Sequence, residues 1–132
     1  MRLLLDSTVL IDVLRGRTAA LSLLTEAVRS GHELGTSAIN LAEVYSGMRA
    51  GEESKTQAFL ENITCFPITP AIGERGGRLR NTWARKGITL GLADMVIAAT
   101  ALDYGLTLVT DNRKDFPMPE ISFYPPSQSA SQ

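Results

Sequence analysis

The chain has 132 residues, 44% hydrophobic and 20% charged, with a formal net charge of -1. That suits one domain around a single core, and the overall charge neither announces nor excludes a nucleic-acid partner. One cysteine, Cys65, excludes an internal disulfide, one histidine, His32, excludes a Cys/His zinc set, and no apolar stretch is long enough to span a membrane. The opening residues are too short and too acidic for a secretory leader, so a reduced, cytoplasmic setting with no membrane contact is expected.

Arg2 to Asp6 begins with a continuous leucine run, the pattern of a strand buried on both faces, as in parallel sheets. Ser7 or Thr8 then caps a helix carrying Val9, Leu10, Val13 and Leu14 up to Gly16. Thr18 to Ser30 reads as a second helix with Leu21, Leu24 and Val28 inward, and Glu33 to Thr36 as a weak strand. Ser37 to Arg49 is helical, with Leu41, Val44, Tyr45 and Met48 as its apolar stripe. Glu52 to Ile63 follows as a helix with Ala58, Phe59 and Ile63 inward, then a strand over Cys65 to Thr69. Pro70 marks the start of a helix that carries Ala71 to Arg85, and Gly91 to Tyr104 is the clearest helix of the chain. LTLVT after Gly105 is a strand, DNRKDF a turn or short helix, and ISFYP a final strand. Strands and helices alternating at this density predict a three-layer α/β/α domain over residues 1–125 with a mostly parallel central sheet, and a polar tail over 126–132.

In such a sheet the ligand crevice lies outside the carboxyl ends of the strands. Asp6 ends the first strand, and Asp111 and Asp115 follow LTLVT. Asp94 heads the helical stripe of Ile97, Ala98 and Ala101, and Glu43 lies beside an apolar stripe on a face with Asn40. Each acid alone has an ordinary account: Asp94 meets the positive end of a helix dipole, worth about 0.3–1 kcal/mol, and Glu43 sits on a wet face. Together, carboxylates on one rim repel unless a hard divalent cation neutralises them, and oxygen ligands select Mg²⁺ or Mn²⁺. Two such ions about 4 Å apart can activate water and stabilise the leaving oxygen of a phosphodiester. No Ser/His/Asp or Cys/His arrangement competes.

The acids of LLLDSTVLID, NLAEVYSG, GLADMVIAATAL and TLVTDNRKDF, in this order and spacing, resemble those of a PIN domain, and more closely those of a VapC-type toxin of a bacterial toxin-antitoxin pair. The resemblance runs from Arg2 to about Pro125. It implies a PIN-like α/β/α fold and a metal-dependent endoribonuclease, usually a homodimer, restrained by a VapB-type antitoxin whose C-terminal segment enters the groove. Carried over, Asp6 and Asp94 are the main ligands of Mg²⁺ or Mn²⁺, and Glu43 completes the shell directly or through water. The fourth acid is Asp115, before Phe116, with Asp111 as an extra or a substitute. Asn40, Thr110 and Asn112 support the ligands, as does Thr8, which stands where the family commonly has Asn and still accepts and donates a hydrogen bond.

Between Glu74 and Lys86, Arg75, Arg78, Arg80, Arg85 and Lys86 crowd around Trp83. They suit an RNA backbone track with Trp83 stacking on a base, or a solvated face with Trp83 packed against the core or a second subunit. Two alternatives stay open beside the toxin: a PIN-domain RNA-processing nuclease without antitoxin, and a non-catalytic α/β binding module. A phospho-acceptor signalling domain fits less well, because Asp6 has no acidic neighbour and only Lys114 as a late lysine.

Overall fold

Arg2–Leu5 forms β1, and its leucines are buried on alternate sides. Leu3 and Leu5 pack with Val9, Leu10, Leu24 and Val44, while Leu4 packs with Met95, Ile97, Ala98 and Ala101. A strand with a core on both faces has to be apolar at every position, and each buried leucine contributes about 1.5–3 kcal/mol. The computed structural model describes residues 1–126. The expected polar tail therefore lies, apart from Pro126, outside the described residues.

After β1 come α1 (Ser7–Leu14), α2 (Thr18–Arg29), β2 (Glu33–Ser37), α3 (Ala38–Ser46) and α4 (Glu53–Leu60). They are followed by β3 (Thr64–Phe66), α5 (Pro70–Arg85), α6 (Leu92–Tyr104), β4 (Thr107–Val109) and a single 3₁₀ turn over Arg113–Asp115. The sheet order is β3-β2-β1-β4 and every neighbouring pair is parallel, with Leu3 beside both Leu34 and Thr107. Helices α1 to α4 supply residues to the Leu3/Leu5 core, and α5 and α6 to the Leu4 core, giving the expected α/β/α layering. The connections leave β1 in opposite directions, so the chain order reverses there. That is where an open parallel sheet forms its ligand crevice.

Several local expectations need correction. The cap of α1 is Asp6 itself, whose side chain accepts from the backbone N–H of Ser7, rather than Ser7 or Thr8. Helix α2 is rotated from the expected stripe: Leu24 is buried as expected but together with Ala27, while Leu21 and Val28 are exposed. Ala20, Leu23, Leu24 and Ala27 form a second stripe at helical spacing, and its alanines let α2 lie closer to the core. In α4 the most buried residues are Thr56 and Leu60; Phe59, and Ile63 just beyond the helix, pack against the Leu3/Leu5 core as expected, and Ala58 is exposed. Helix α3 stops at Ser46, short of Arg49. Strand β3 stops at Phe66 because Pro67 has no N–H to continue the ladder. ISFYP makes only an isolated parallel bridge, Phe123 to Leu108, instead of a final strand.

Helices α5 and α6 touch at Gly76, where an added Cβ would lie 3.0 Å from the Cα of Val96 and 3.1 Å from its N. Glycine is needed there for close approach. Thr69 caps α5 by accepting from the N–H of Ile72, and Pro70 occupies its first turn.

Candidate active site

Asp6 is 8% exposed, at the carboxyl end of the central strand. A buried carboxylate needs partners, and it has three. Oδ1 accepts from the backbone N–H of Ser7 at 2.8 Å and from Nδ2 of Asn40 at 3.0 Å, and Oδ2 accepts from Oγ1 of Thr110 at 2.7 Å. The backbone N–H of Asp6 also donates to the carbonyl of Val109 at 2.9 Å, so β4 holds both ends of the residue.

Thr110 follows β4, and its hydroxyl oxygen also accepts from the backbone N–H of Asn112 at 3.1 Å. Asn112 therefore acts through its backbone, with an exposed side chain. Asn40 lies in the first turn of α3 and is fully buried. Its Oδ1 accepts from Oγ of Ser37, the α3 cap, at 2.6 Å, and its Nδ2 donates to Oγ of Ser7 at 2.8 Å as well as to Asp6. The Ser7 hydroxyl in turn donates to Oε1 of Glu43. Neither Ser7 nor Ser37 stood out as a site residue in the sequence. The available signals were adjacency to Asp6 for Ser7, and for Ser37 the cap position three residues before Asn40.

Asp94 occupies the first turn of α6, behind the Gly91 cap, which supplies no side-chain hydrogen bond. Its carboxylate folds back over that glycine: a Cβ on Gly91 would lie 3.2 Å from Oδ2 of Asp94. Burial pushes the Asp94 carboxyl up to about 6, and the charges of Asp6, Asp115 and Glu43 push in the same direction. The four acids named from the sequence thus share one electrostatic neighbourhood.

Asp115 reaches it from the Arg113–Asp115 turn, held in place by the buried ring of Phe116. Asp111 does not act on Asp94 in this way. It is exposed and lines a different cavity with Val9, Asp12, Ala19, Ala20 and Leu23. Thr8, expected to assist, faces solvent, and Ser7 makes the contacts instead.

The donor set is all oxygen, the chemistry that hard divalent cations select. Among the described residues, no three Asp, Glu, His or Cys side chains converge closely enough to hold one ion as they stand. The carboxylates are near enough to raise the Asp94 pKa, yet they remain apart. A bound cation would offset both the burial and the like charges that raise Asp94, burial being the larger of the two.

The basic residues from Arg75 to Lys86 are exposed, and four of them are already engaged, Arg75 by Asp103 at 2.6 Å. Arg78 pairs with Glu74 at 2.9 Å, and Lys86 lies 4.6 Å from the centre of the Trp83 ring. Nε of Arg80 donates to the carbonyl of Leu90 at 3.0 Å, one residue before the α6 cap, and Arg85 projects from the last turn. Trp83 is half-buried against the Leu4 core.

A family model described as the PIN domain matches residues 3–120. The chain is 38% identical over 116 residues to ribonuclease VapC10 of Mycobacterium tuberculosis, covering 88% of this chain and 86% of that protein. It is 34% identical over 115 residues to ribonuclease VapC19 of the same organism, covering 87% and 92%. Among solved structures it superposes on VapBC2 from Rickettsia felis bound to a DNA fragment from their promoter, with a TM-score of 0.81 at 24% identity over 93% of this chain and 97% of that one. A toxin-antitoxin complex from Klebsiella pneumoniae matches with a TM-score of 0.71 at 30% identity, covering 91% and 93%.

Proposed function

Since the chain belongs to the PIN-domain family, and within it to the VapC ribonucleases, we propose that it is the endoribonuclease toxin of a toxin-antitoxin pair, hydrolysing RNA phosphodiesters at Asp6, Glu43, Asp94 and Asp115. The observation that carries this reading is that Ser7 bonds both Asp6 and Glu43 at the carboxyl end of β1, where burial and the charges of Asp6, Asp115 and Glu43 raise Asp94, in a chain that matches the family from residue 3 to 120. Its restraining partner is a VapB-type antitoxin, and its working form a cytoplasmic homodimer. Support for the partner comes from structural neighbours that are themselves VapBC complexes.

Mg²⁺ or Mn²⁺ would be held by Asp6 and Asp94, with Glu43 and Asp115 completing the shell directly or through water. When bound, the ion would supply Lewis-acid activation of water and neutralise charge at the scissile phosphate. Each carboxylate oxygen accepts about two hydrogen bonds. Oδ1 of Asp6 already takes two, from Ser7 and Asn40, whereas Oδ2 takes one, from Thr110. Oδ2 is therefore the atom free to face a cation. On Glu43, Oε1 takes one hydrogen bond, from Ser7, and Oε2 none among the described residues, so Oε2 is the more open atom. An acidic cleft repels RNA, so the substrate's backbone needs positive charge elsewhere, and Arg78, Arg80, Arg85 and Lys86 on α5 offer it. Of these, Arg80 is tied to Leu90, next to the helix that carries Asp94.

The test is cleavage by purified, antitoxin-free protein of a mixed tRNA, rRNA and mRNA panel, with Mg²⁺ or Mn²⁺ and with chelator, comparing wild type with Asp94→Asn. Discrete fragments that need the metal and disappear in the variant are expected. Cleavage that persists in Asp94→Asn, or in chelator, overturns the site.

A further inference from the structure

Resting on the metal-dependent reading above, we infer that Ser7 is a positioning residue for Glu43, its hydroxyl holding the glutamate against the site before a divalent cation arrives. Glu43 is exposed on α3 and carries three rotatable torsions, so left alone it would swing to solvent, away from the charges of Asp6 and Asp94. Among the described residues no arginine, lysine or histidine forms a salt bridge with it. The contact that holds it is the Ser7 hydroxyl.

That hydroxyl is aimed by its own surroundings. Ser37 donates to Oδ1 of Asn40, which turns the amide so that Nδ2 faces Asp6 and Ser7. Nδ2 donates to Oγ of Ser7, occupying its acceptor side, so the single hydroxyl hydrogen of Ser7 is left for Glu43. The polarity runs one way, from Ser37 through Asn40 and Ser7 to Glu43. The backbone N–H of Ser7 donates to Asp6 at the same time. One buried residue thus holds a carboxylate from β1 and a carboxylate from α3 in a common frame. Thr8, one position on, faces solvent and has no part in this frame.

The experiment compares wild type, Ser7→Ala and Ser7→Thr by titration with Mn²⁺, following the free ion by electron paramagnetic resonance, and by thermal melting in chelator. Ser7→Ala is expected to weaken Mn²⁺ binding about 10-fold, as loss of a ligand's orienting partner does, and melting in chelator reads separately the cost of leaving one N–H of buried Asn40 without its partner. Ser7→Thr keeps the hydroxyl and is expected to bind like wild type, and RNA cleavage lost by Ser7→Ala at limiting Mn²⁺ should return at saturation. Unchanged Mn²⁺ affinity in Ser7→Ala, with or without a lower melting temperature, overturns the role of Ser7 and leaves the nuclease reading intact. Binding by Ser7→Thr as weak as by Ser7→Ala also overturns it, because the hydroxyl is then not the cause. A wild type that binds no Mn²⁺ removes the metal-dependent reading itself, and this inference with it.

Discussion

The hydroxyl of Thr110 donates to Oδ2 of Asp6 at 2.7 Å, tying the carboxyl end of β4 to that of β1 across the point where the chain order reverses. Thr110 is itself 8% exposed. Thr110→Val keeps the shape and removes the donor, leaving a buried carboxylate with one partner fewer. The expected cost is about 1–3 kcal/mol in urea unfolding of metal-free protein, with Thr110→Ser recovering most of it. A Thr110→Val variant as stable as wild type would show that water replaces the bond at no cost.

Asp94 makes the metal-free protein sensitive to pH in a defined direction. Its ordinary value is 3.8 and the folded protein holds it up to about 6. Folding therefore favours the protonated form: the contribution is fully present below about pH 4 and is lost as pH rises through 6. Between pH 4 and 7 wild type should lose about 1 kcal/mol relative to Asp94→Asn, a figure reduced from the full shift because the group is partly solvated. Urea midpoints of the two proteins across that window, in chelator, check the sign. An identical pH dependence in both would place the responsible group elsewhere.

On the metal-dependent reading, the same proton would compete with the cation. Metal ligands must be deprotonated, so Mn²⁺ should raise the melting temperature of wild type well above pH 6 and progressively less below it. Saturation at 100 times the dissociation constant corresponds to about 2.7 kcal/mol. Asp94→Asn should show little of this increase at any pH, and calorimetry with and without Mn²⁺ reads it directly.

Asp111 and Asp115 divide cleanly. Asp115 acts on Asp94, whereas Asp111 lines a separate cavity. Asp115→Asn is expected to reduce cleavage about 10- to 100-fold, the usual cost of disturbing groups around a metal, with Asp111→Asn close to wild type. The reverse order in side-by-side rate measurements would exchange their roles.

Two glycines of α5 should respond with opposite signs. Gly76→Ala drives a methyl against the backbone of Val96 and should destabilise by about 1–3 kcal/mol. A Cβ on Gly77 meets nothing within 4 Å, so Gly77→Ala gains helix propensity of up to about 1 kcal/mol. Thermal melting of the pair checks both the packing and the helix.

The layering and the parallel strands are legible in the sequence because each rests on local chemistry, as does the placing of four acids at strand and helix ends. A leucine run implies a doubly covered strand, and an acid at its end implies a partner. What the sequence could not supply was rotation and depth. Leu21, Leu24 and Val28 read as one inward stripe, and the structure buries Leu24 with Ala27 but leaves Leu21 and Val28 exposed, because two apolar stripes that share Leu24 fit α2 equally well until the sheet is present to choose between them. ISFYP has the composition of a strand but pairs at one residue only, since pairing depends on the neighbour available to it.

At the site the division is similarly physical. Sequence alone determined which residues can carry charge and at which strand or helix end they stand: Asp6 after β1, Asp94 at the start of α6, Glu43 on α3. Only the tertiary structure decided that Ser7 rather than Thr8 faces Glu43, that Asn112 works through its backbone, and that Asp115 rather than Asp111 reaches Asp94. Those choices depend on how α1, α3 and the turn after β4 dock around one buried carboxylate. The hydrogen bonds around that carboxylate join residues as many as 104 positions apart.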